Sequence, residues 1–234
     1  MREIPKIIHQ VWSGIDEPLP THYEELGNTW KEKNPDWEYV IWDNQKMTDF
    51  VLEHYPHYWS TYNSFKCNIQ RWDAIRYLIL DKIGGVYADF DTECLKPLET
   101  LLKDRECCFS FEPEVYQQYY GGVPFYFNNA FMASTPDHPF MKKAIERAFY
   151  YDPTWRNAKD ILGTTGPLML IHLYQGYEEK ENIYLIPPQL TSPITREEGI
   201  SRINGNNTEE IENKLKDAYV IHYFFSAWVD QVDA

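Results

Sequence analysis

Short β-rich runs alternate with runs of helical period along the chain. Clusters of apolar and β-branched residues predict strands over 4–12, 37–42, 86–88, 107–111, 127–133, 183–186 and 219–222. Apolar positions three and four residues apart predict helices over 23–33, 71–80, 139–150 and 167–174. We expect Asp43 and Asp137 to cap the helices that follow them. This alternation is typical of an α/β fold with a mixed central sheet flanked by helices.

Residues 45–70 depart from that alternation. Their pattern is helical but interrupted at Pro56, and it is rich in Tyr, Trp and His. We predict a helical excursion there, which either packs against the core or forms part of an acceptor side. The chain has 234 residues, of which 43% are apolar, so residues 1–234 are expected to form a single domain with a substantial core.

The most informative stretch runs from Gly84 to Cys94 and contains Asp89 and Asp91 directly after a predicted buried strand. In an extended chain, residues two apart point to the same side. Two carboxylates held together at a strand end need a positive partner, and a divalent cation such as Mg²⁺ or Mn²⁺ also accepts diphosphate oxygens. The alternative for a lone pair of this kind is a simple turn cap.

The helix predicted before that strand carries a second polar group. Asp73, Arg76 and Tyr77 fall at spacings of three and four residues, beside the apolar stripe that contains Ile75 and Leu78. Two glycines then end the helix, and one of them is expected to provide a left-handed cap. The Asp–Arg pair is either part of the same site or an ordinary surface salt bridge.

Charge and cysteine content narrow the class of protein. The formal net charge is −14, which argues against a nucleic-acid partner. The 18 Tyr and 8 Trp supply aromatic surfaces that suit sugar rings and bases, or a core rich in aromatic side chains. Four cysteines without metal-type spacing indicate a reducing compartment, and we expect neither a signal peptide nor a membrane span.

The combined pattern resembles glycosyltransferase family 32, whose members carry a DxD signature. The resemblance rests on Ile4-Pro5-Lys6-Ile7-Ile8-His9-Gln10-Val11-Trp12, on Asp-x-x-Arg-Tyr at 73–77, and on Gly-Gly-Val-Tyr-x-Asp-x-Asp at 84–91. The family includes bacterial capsule and exopolysaccharide transferases and fungal initiating mannosyltransferases, and the clostridial glucosylating toxins look like distant relatives. The resemblance implies a GT-A type fold and a metal-dependent, retaining transfer of a hexose from a nucleotide-diphosphate sugar.

The resemblance also implies roles for individual residues. Trp12 would stack on the base, and the alternative for it is a core side chain. Apart from the resemblance, we expect His9 to orient a neighbour and not to ligate the metal. Asp91 would bind the metal directly, and Asp89 would hold ribose or sugar and the metal's water shell. Asp73 and Arg76 would bind sugar hydroxyls, with Arg76 also near phosphate, and Tyr77 and Asn129 are further candidates for contact with the nucleotide sugar.

The end of the chain departs from the family pattern. Relatives often show two adjacent histidines and a Ser directly before Trp, but here Tyr223 takes the second His position and Ala227 separates Ser226 from Trp228. Either His222 or Ser226 would therefore complete the metal shell. We predict that Trp228 closes over the donor as a lid and donates its indole N–H to the diphosphate; the alternative is a permanently packed tail.

No second carboxylate placed as a nucleophile is evident from the sequence, which favours front-face substitution. The donor is expected to be UDP-linked, such as UDP-galactose or UDP-glucose. The expected acceptor is a glycan, a glycolipid or a lipid-linked oligosaccharide in polysaccharide or capsule synthesis. The expected location is cytoplasmic, or the inner face of the membrane with peripheral association through the acceptor.

Two other functions remain open from the sequence. An aspartyl-phosphate phosphatase also places D-x-D after a strand, but that signature needs Thr or Val where Glu93 stands. A sugar-binding protein without turnover would account for the aromatic residues. Release of nucleoside diphosphate separates the three, because a phosphatase acts on phosphomonoesters and a lectin releases nothing.

Overall fold

A computed structural model of the chain describes residues 2–12, 17–117, 126–150 and 158–225. It confirms the predicted α/β class with a mixed sheet flanked by helices. The strands are β1 Ile7–Val11, β2 Glu38–Trp42, β3 Gly85–Ala88, β4 Thr92–Cys94, β5 Cys107–Phe111, β6 Phe127–Ser134, β7 Tyr184–Ile186 and β8 Val220–His222. The longer helices are α1 Thr21–Lys33, α2 Asn44–His54, α3 Trp59–Ser64, α4 Asn68–Lys82, α7 Pro139–Phe149, α8 Ala158–Thr164, α9 Pro167–Gln175, α11 Arg196–Ile203 and α12 Glu209–Leu215. One-turn helices are α5 Glu99–Leu102, α6 Glu114–Gln117 and α10 Pro188–Thr191.

Six strands form the main sheet in the order β2-β1-β3-β6-β5-β7, and β4 and β8 form a separate antiparallel ribbon. β1 runs parallel to both β2 and β3, whereas β6 runs antiparallel to β3 and β5. The end of β3 and the beginning of β6 therefore lie at the same edge, with Ala88 opposite Phe131. The end of β5 joins them, because Phe111 lies opposite Phe127. Ligands of open α/β sheets bind at such an edge.

Alternation along the strands divides the apolar side chains between two layers. Tyr87 and Met132 face the layer built by α2, α4, α7 and α9, whereas Val86 and Ala133 face the opposite layer with Trp30 of α1. α4 is buried along nearly its whole length, so its polar side chains Asp73 and Arg76 are buried together with the apolar ones. The excursion at 45–70 contributes core side chains to the first layer, Met47 and Phe65 among them.

Most predicted elements are present, and two details differ. The cap of α7 is His138, whose side chain accepts a hydrogen bond from the backbone N–H of Phe140, because Asp137 adopts a left-handed turn with φ of 61° and lies outside the helix. The helices α11 and α12 were not predicted, although Thr195 forms a capping box with Glu198 at the start of α11. Asp43 caps α2 as expected, accepting a hydrogen bond from Lys46 N at 2.8 Å.

Two further expectations concern membrane spans and thiols. Within the described ranges, no helix is both long enough and apolar enough to cross a membrane. All four cysteines lie in those ranges and are free thiols.

Candidate active site

A cavity of about 450 Å³ opens at the edge where β1, β3 and β5 end and β6 begins. Its wall receives side chains from α4 and from the turn between β3 and β4, and α11 contributes Arg196 and Glu197 at its N-terminus. Of the residues proposed from sequence, those lining the cavity are Trp12, Asp73, Arg76, Asp89, Asp91, Asn129 and His222.

Asp89 and Asp91 converge because the chain turns between them. The backbone N–H of Thr92 donates to the carbonyl of Asp89 at 3.2 Å, and the Thr92 hydroxyl donates to the same carbonyl at 2.5 Å. The expectation of an extended chain at this point was therefore wrong, although both carboxylates do face one cavity. The Gln10 side chain also donates to that carbonyl at 3.1 Å and ties the turn to β1.

His222 at the end of β8 completes a group of three potential metal ligands. One ligand atom each from Asp89, Asp91 and His222 lies within 4.8 Å of the others. The antiparallel pairing of β4 with β8 places His222 opposite Thr92, one residue after Asp91. Two carboxylates suit Mg²⁺ or Mn²⁺, and the buried Nδ1 of His222 has no hydrogen-bond partner among the described residues. These residues fit a divalent cation.

The two aspartates differ in their electrostatic environment. Burial raises the pKa of Asp89, and this rise is opposed by Arg76 and reinforced by the charge of Asp91. Burial also acts on Asp91, but His222 and the backbone N–H of Phe225 outweigh it and lower the pKa of that carboxyl. Burial opposes protonation of His222, whereas Asp91 and Asp89 raise its pKa. Asp91 is therefore the more strongly ionised member of the pair.

The residues after β8 hold Asp91 in place. Phe225 N donates to Asp91 Oδ2 at 2.9 Å, and Tyr223 N donates to the Asp91 carbonyl at 2.9 Å. His222 Nε2 lies 3.5 Å from Oδ2. Ser226 and Trp228, the predicted metal contact and lid, lie outside the described residues.

Arg76 lies at the centre of the polar network. Its guanidinium is 3.5 Å from Asp73 and 3.3 Å from Asp89, and it donates to the carbonyl of Asn129 at 3.0 Å. It also lies over the Tyr87 ring, 4.7 Å from the centroid. The arginine side chain is 7% exposed, so the alternative of a surface salt bridge is wrong. The Arg76 guanidinium thus connects Asp73 on α4 with the turn that contains Asp89 and Asp91.

Asp73 accepts hydrogen bonds from two neighbouring parts of the fold, β6 and the connection between α8 and α9. Asn129 Nδ2 donates to it at 2.8 Å and the Thr165 hydroxyl at 3.1 Å. Burial raises the pKa of Asp73, although Arg76 opposes this. Tyr77 is fully buried and donates to the Thr165 carbonyl at 2.5 Å. It is not among the residues that line the cavity, so it supports Asp73 and Asn129 from behind instead of contacting a ligand directly.

The profile of the family described as "Glycosyltransferase sugar-binding region containing DXD motif" matches residues 20–108, which include α4 and both aspartates. The mannosyl phosphorylinositol ceramide synthase of Saccharomyces cerevisiae is 36% identical over 176 residues, which cover 75% of this chain and 43% of that protein. Inositol phosphoceramide mannosyltransferase 1 of Schizosaccharomyces pombe is 32% identical over 182 residues, covering 76% of this chain and 53% of that protein.

This chain belongs to the DXD-containing glycosyltransferase family. It spans about half the length of the curated relatives it matches, at 43% and 53% of the two named above. The ligand-free glycosyltransferase domain of the YGT toxin superposes with a TM-score of 0.56, covering 79% of this chain and 80% of that one at 9% identity. Such a likeness shows the fold alone, and the fold is that of GT-A glycosyltransferases, which generally bind a divalent metal at a DXD pair.

In this glycosyltransferase, Trp12 lies on the opposite side of the metal group from β6. Its indole N–H donates to the Glu17 carbonyl at 2.7 Å, and its ring lies 5.9 Å from both Tyr23 and Phe90. The indole is partly exposed to the cavity, a placement that suits stacking on a base. His9 is buried away from the metal group, bonded to Gly84 and Trp42, in agreement with the expectation that it orients neighbours.

Sequence reasoning missed Glu112 and Asn128. Glu112 directly follows β5 and is 8% exposed, and its Oε1 accepts a hydrogen bond from Asn128 Nδ2 at 3.2 Å. Both line the cavity. A charged residue immediately after a buried strand at the ligand-binding edge was an available signal, because the same signal identified Asp89 after β3.

Proposed function

We propose that this glycosyltransferase transfers a hexose, which we assign as mannose, from a nucleoside-diphosphate sugar to a hydroxyl group of a glycolipid or glycan, with retention of configuration. The proposal rests on one observation. Asp89, Asp91 and His222 form a metal-binding group in a cavity whose floor is Arg76 paired with Asp73.

The base, the diphosphate and the sugar of the donor each have a matching group in the cavity. Trp12 offers a partly exposed ring for the base, and the Asp89–Asp91 turn lies between it and Arg76. A bound Mn²⁺ or Mg²⁺ would neutralise the departing diphosphate. Arg76 adds positive charge beside Asp89, and Asp73 and Asn129 present an oxygen and an amide for sugar hydroxyls.

The relatives favour mannose over the UDP-galactose or UDP-glucose expected from the sequence. The two named above are called a mannosyl phosphorylinositol ceramide synthase and an inositol phosphoceramide mannosyltransferase. The mannosyltransferase branch of the resembled family uses guanosine nucleotides, so GDP-mannose is the first donor to test. A phosphoinositol sphingolipid is the first acceptor, ahead of a capsular polysaccharide. Peripheral membrane association through such an acceptor stays a prediction, as does a cytoplasmic location.

Release of nucleoside diphosphate tests the proposal. Purified protein is incubated with GDP-mannose, UDP-glucose or UDP-galactose and Mn²⁺ or Mg²⁺, and the freed diphosphate is measured with and without excess chelator. We expect the protein to turn over one of these donors, and excess chelator should abolish this turnover. Asp91→Asn should lower it at least about 100-fold, since removal of one electrostatic stabiliser of the transition state has costs of that order.

The matched control is Asp36→Asn, because Asp36 is exposed and lies outside the cavity. It should retain full turnover. Turnover by wild type in excess chelator, or by Asp91→Asn at the wild-type rate, would refute the metal-dependent mechanism. Release of phosphate from phosphomonoesters, with intact nucleotide sugars, would instead support the phosphatase.

A further inference from the structure

Glu112 is a buried carboxylate that the donor-binding scheme leaves without a task. Its backbone N–H donates to the Tyr126 carbonyl at 2.9 Å, which fixes the residue at the end of β5. Asn128 is oriented because its Oδ1 accepts a hydrogen bond from Ala130 N at 3.0 Å, so its amide nitrogen must face Glu112. The position of the carboxylate is therefore set by two elements of the sheet.

Burial of this carboxylate does not evidently stabilise the fold. Among the described residues, Glu112 makes no ion pair with Lys or Arg, whereas Glu93 lies 3.4 Å from Arg202 and accepts a hydrogen bond from Tyr223 at 2.5 Å. Burial of a carboxyl carries a desolvation cost, and it raises the pKa of Glu112 to about 7 although the charge of His222 and the hydrogen bond from Asn128 both act to lower that pKa. A group retained at such a cost inside a cavity is a candidate for contact with substrate.

The order of the strands places Glu112 relative to the donor. Along the edge of the sheet come Trp12 after β1, Asp89 after β3, Asn129 in β6 and Glu112 after β5. Neighbouring strands are about 4.8 Å apart, so the end of β5 lies roughly 10 Å beyond the end of β3. A donor with its base at Trp12 and its diphosphate at the aspartates extends its sugar over β6. Glu112 then lies beyond the sugar, where the second substrate must approach.

We propose that Glu112, oriented by Asn128, binds the acceptor by accepting a hydrogen bond from one of its hydroxyl groups. This assignment rests on the proposed function and names the acceptor side of the same cavity. It requires an acceptor that is a polyol, such as the inositol ring of a phosphoinositol lipid or a sugar. The carboxylate binds and orients this hydroxyl, and no covalent bond to Glu112 forms.

The test separates hydrolysis of the donor from transfer. Glu112→Gln is nearly isosteric and can keep its contact with Asn128. Donor hydrolysis without acceptor is measured as nucleoside diphosphate released from the active nucleotide sugar. Transfer is measured with inositol phosphoceramide in detergent micelles and with methyl α-mannoside. We expect hydrolysis within about threefold of wild type, and kcat/KM for the acceptor lowered roughly 10- to 100-fold, the range for loss of a hydrogen bond to a charged group.

Two further variants sharpen the result. Asn128→Ala should lower acceptor use in the same direction but less, because the carboxylate stays and loses only its orienting donor. Glu114→Gln is the matched control, since Glu114 is exposed two residues away and should behave as wild type in both assays. Urea unfolding confirms that each variant is folded.

Specific outcomes would overturn the assignment. Loss of hydrolysis and transfer by the same factor in Glu112→Gln would place this carboxylate on the donor, and unchanged transfer would leave it structural. Wild type that releases no diphosphate from any nucleotide sugar would refute the proposed function itself. The two failures are therefore distinguishable.

Discussion

His9 provides a quantitative test of how the sheet responds to acid. It is 1% exposed, and both ring nitrogens are engaged. Its Nδ1 accepts a hydrogen bond from the Trp42 indole at 3.1 Å, so Nε2 carries the proton and donates to the Gly84 carbonyl at 2.9 Å. The imidazole must stay neutral to make both bonds. A second proton would break the bond to Trp42 and place a charge in the core.

The cost of that proton follows from the pKa of His9, which burial lowers from 6.5 to about 4. The unfolded chain binds a proton at His9 near pH 6.5 and the folded chain does not, so the free energy of unfolding falls as the pH falls between those values. The difference of about 2.5 pH units, at about 1.4 kcal/mol per unit, gives a loss of about 3 kcal/mol near pH 4. Domains have about 5–15 kcal/mol in total, so such a loss is easily measured.

Urea unfolding from pH 7.5 to 4 measures the effect, with wild type compared against His9→Gln. Glutamine can still donate and accept hydrogen bonds but does not titrate. The comparison is necessary because Glu112, with its pKa raised to about 7, acts in the opposite direction: the folded chain binds that proton first and gains stability as the pH falls. We expect wild type to lose about 3 kcal/mol more than the variant over this range. Parallel curves for the two proteins would refute the assignment of a neutral, buried His9.

Urea unfolding of two further variants tests the contribution of Arg76 and of Gly85 in β3 to stability. Arg76→Met removes the cation shared by the buried carboxylate of Asp73 and the partly buried carboxylate of Asp89, and it should lower the free energy of unfolding by about 3–5 kcal/mol. Lys6→Met at an exposed pair should lower it by under about 1 kcal/mol. Equal losses would refute the central role of the arginine. Gly85→Ala should cost roughly 2–5 kcal/mol, because φ is +99° and the new Cβ would lie 2.5 Å from the Ile7 carbonyl oxygen. Gly205→Ala, at φ of +79° with open space around it, isolates the backbone strain, and an equal loss in both would show that the contact with β1 adds nothing.

Local sequence was sufficient for much of the fold. The strands β2, β5 and β6 and the helix α4 were predicted within a few residues, because each has a strong period and clear turn residues at its ends. The Asp73–Arg76 pair was also predictable, since helical spacing alone brings the two side chains together. Its burial was not, because that depends on β6 and α9 covering it.

Features that depend on pairing between distant strands could not be derived from local pattern. The Asp89–Asp91 turn is set by Thr92 and by Gln10 of β1, and an isolated D-x-D triplet does not distinguish this turn from an extended strand. Glu112 approaches the site only because β5 pairs with β6, which begins in the same cavity. Neither fact is encoded within a few residues of the motif.

The ribbon of β4 and β8 has the largest consequence for the chemistry. Asp91 lies directly before β4, and its carboxylate is oriented by His222 and Phe225, more than 130 residues later in the chain. Its orientation therefore depends on the pairing of the last strand, not on the DxD turn alone. Because Ser226 directly follows Phe225, the segment predicted to close over the donor starts from the residue whose backbone holds the metal-binding carboxylate. The predicted closure of Trp228 over the donor and the orientation of Asp91 would therefore meet at Phe225, whose backbone N–H donates to Asp91 Oδ2 at 2.9 Å.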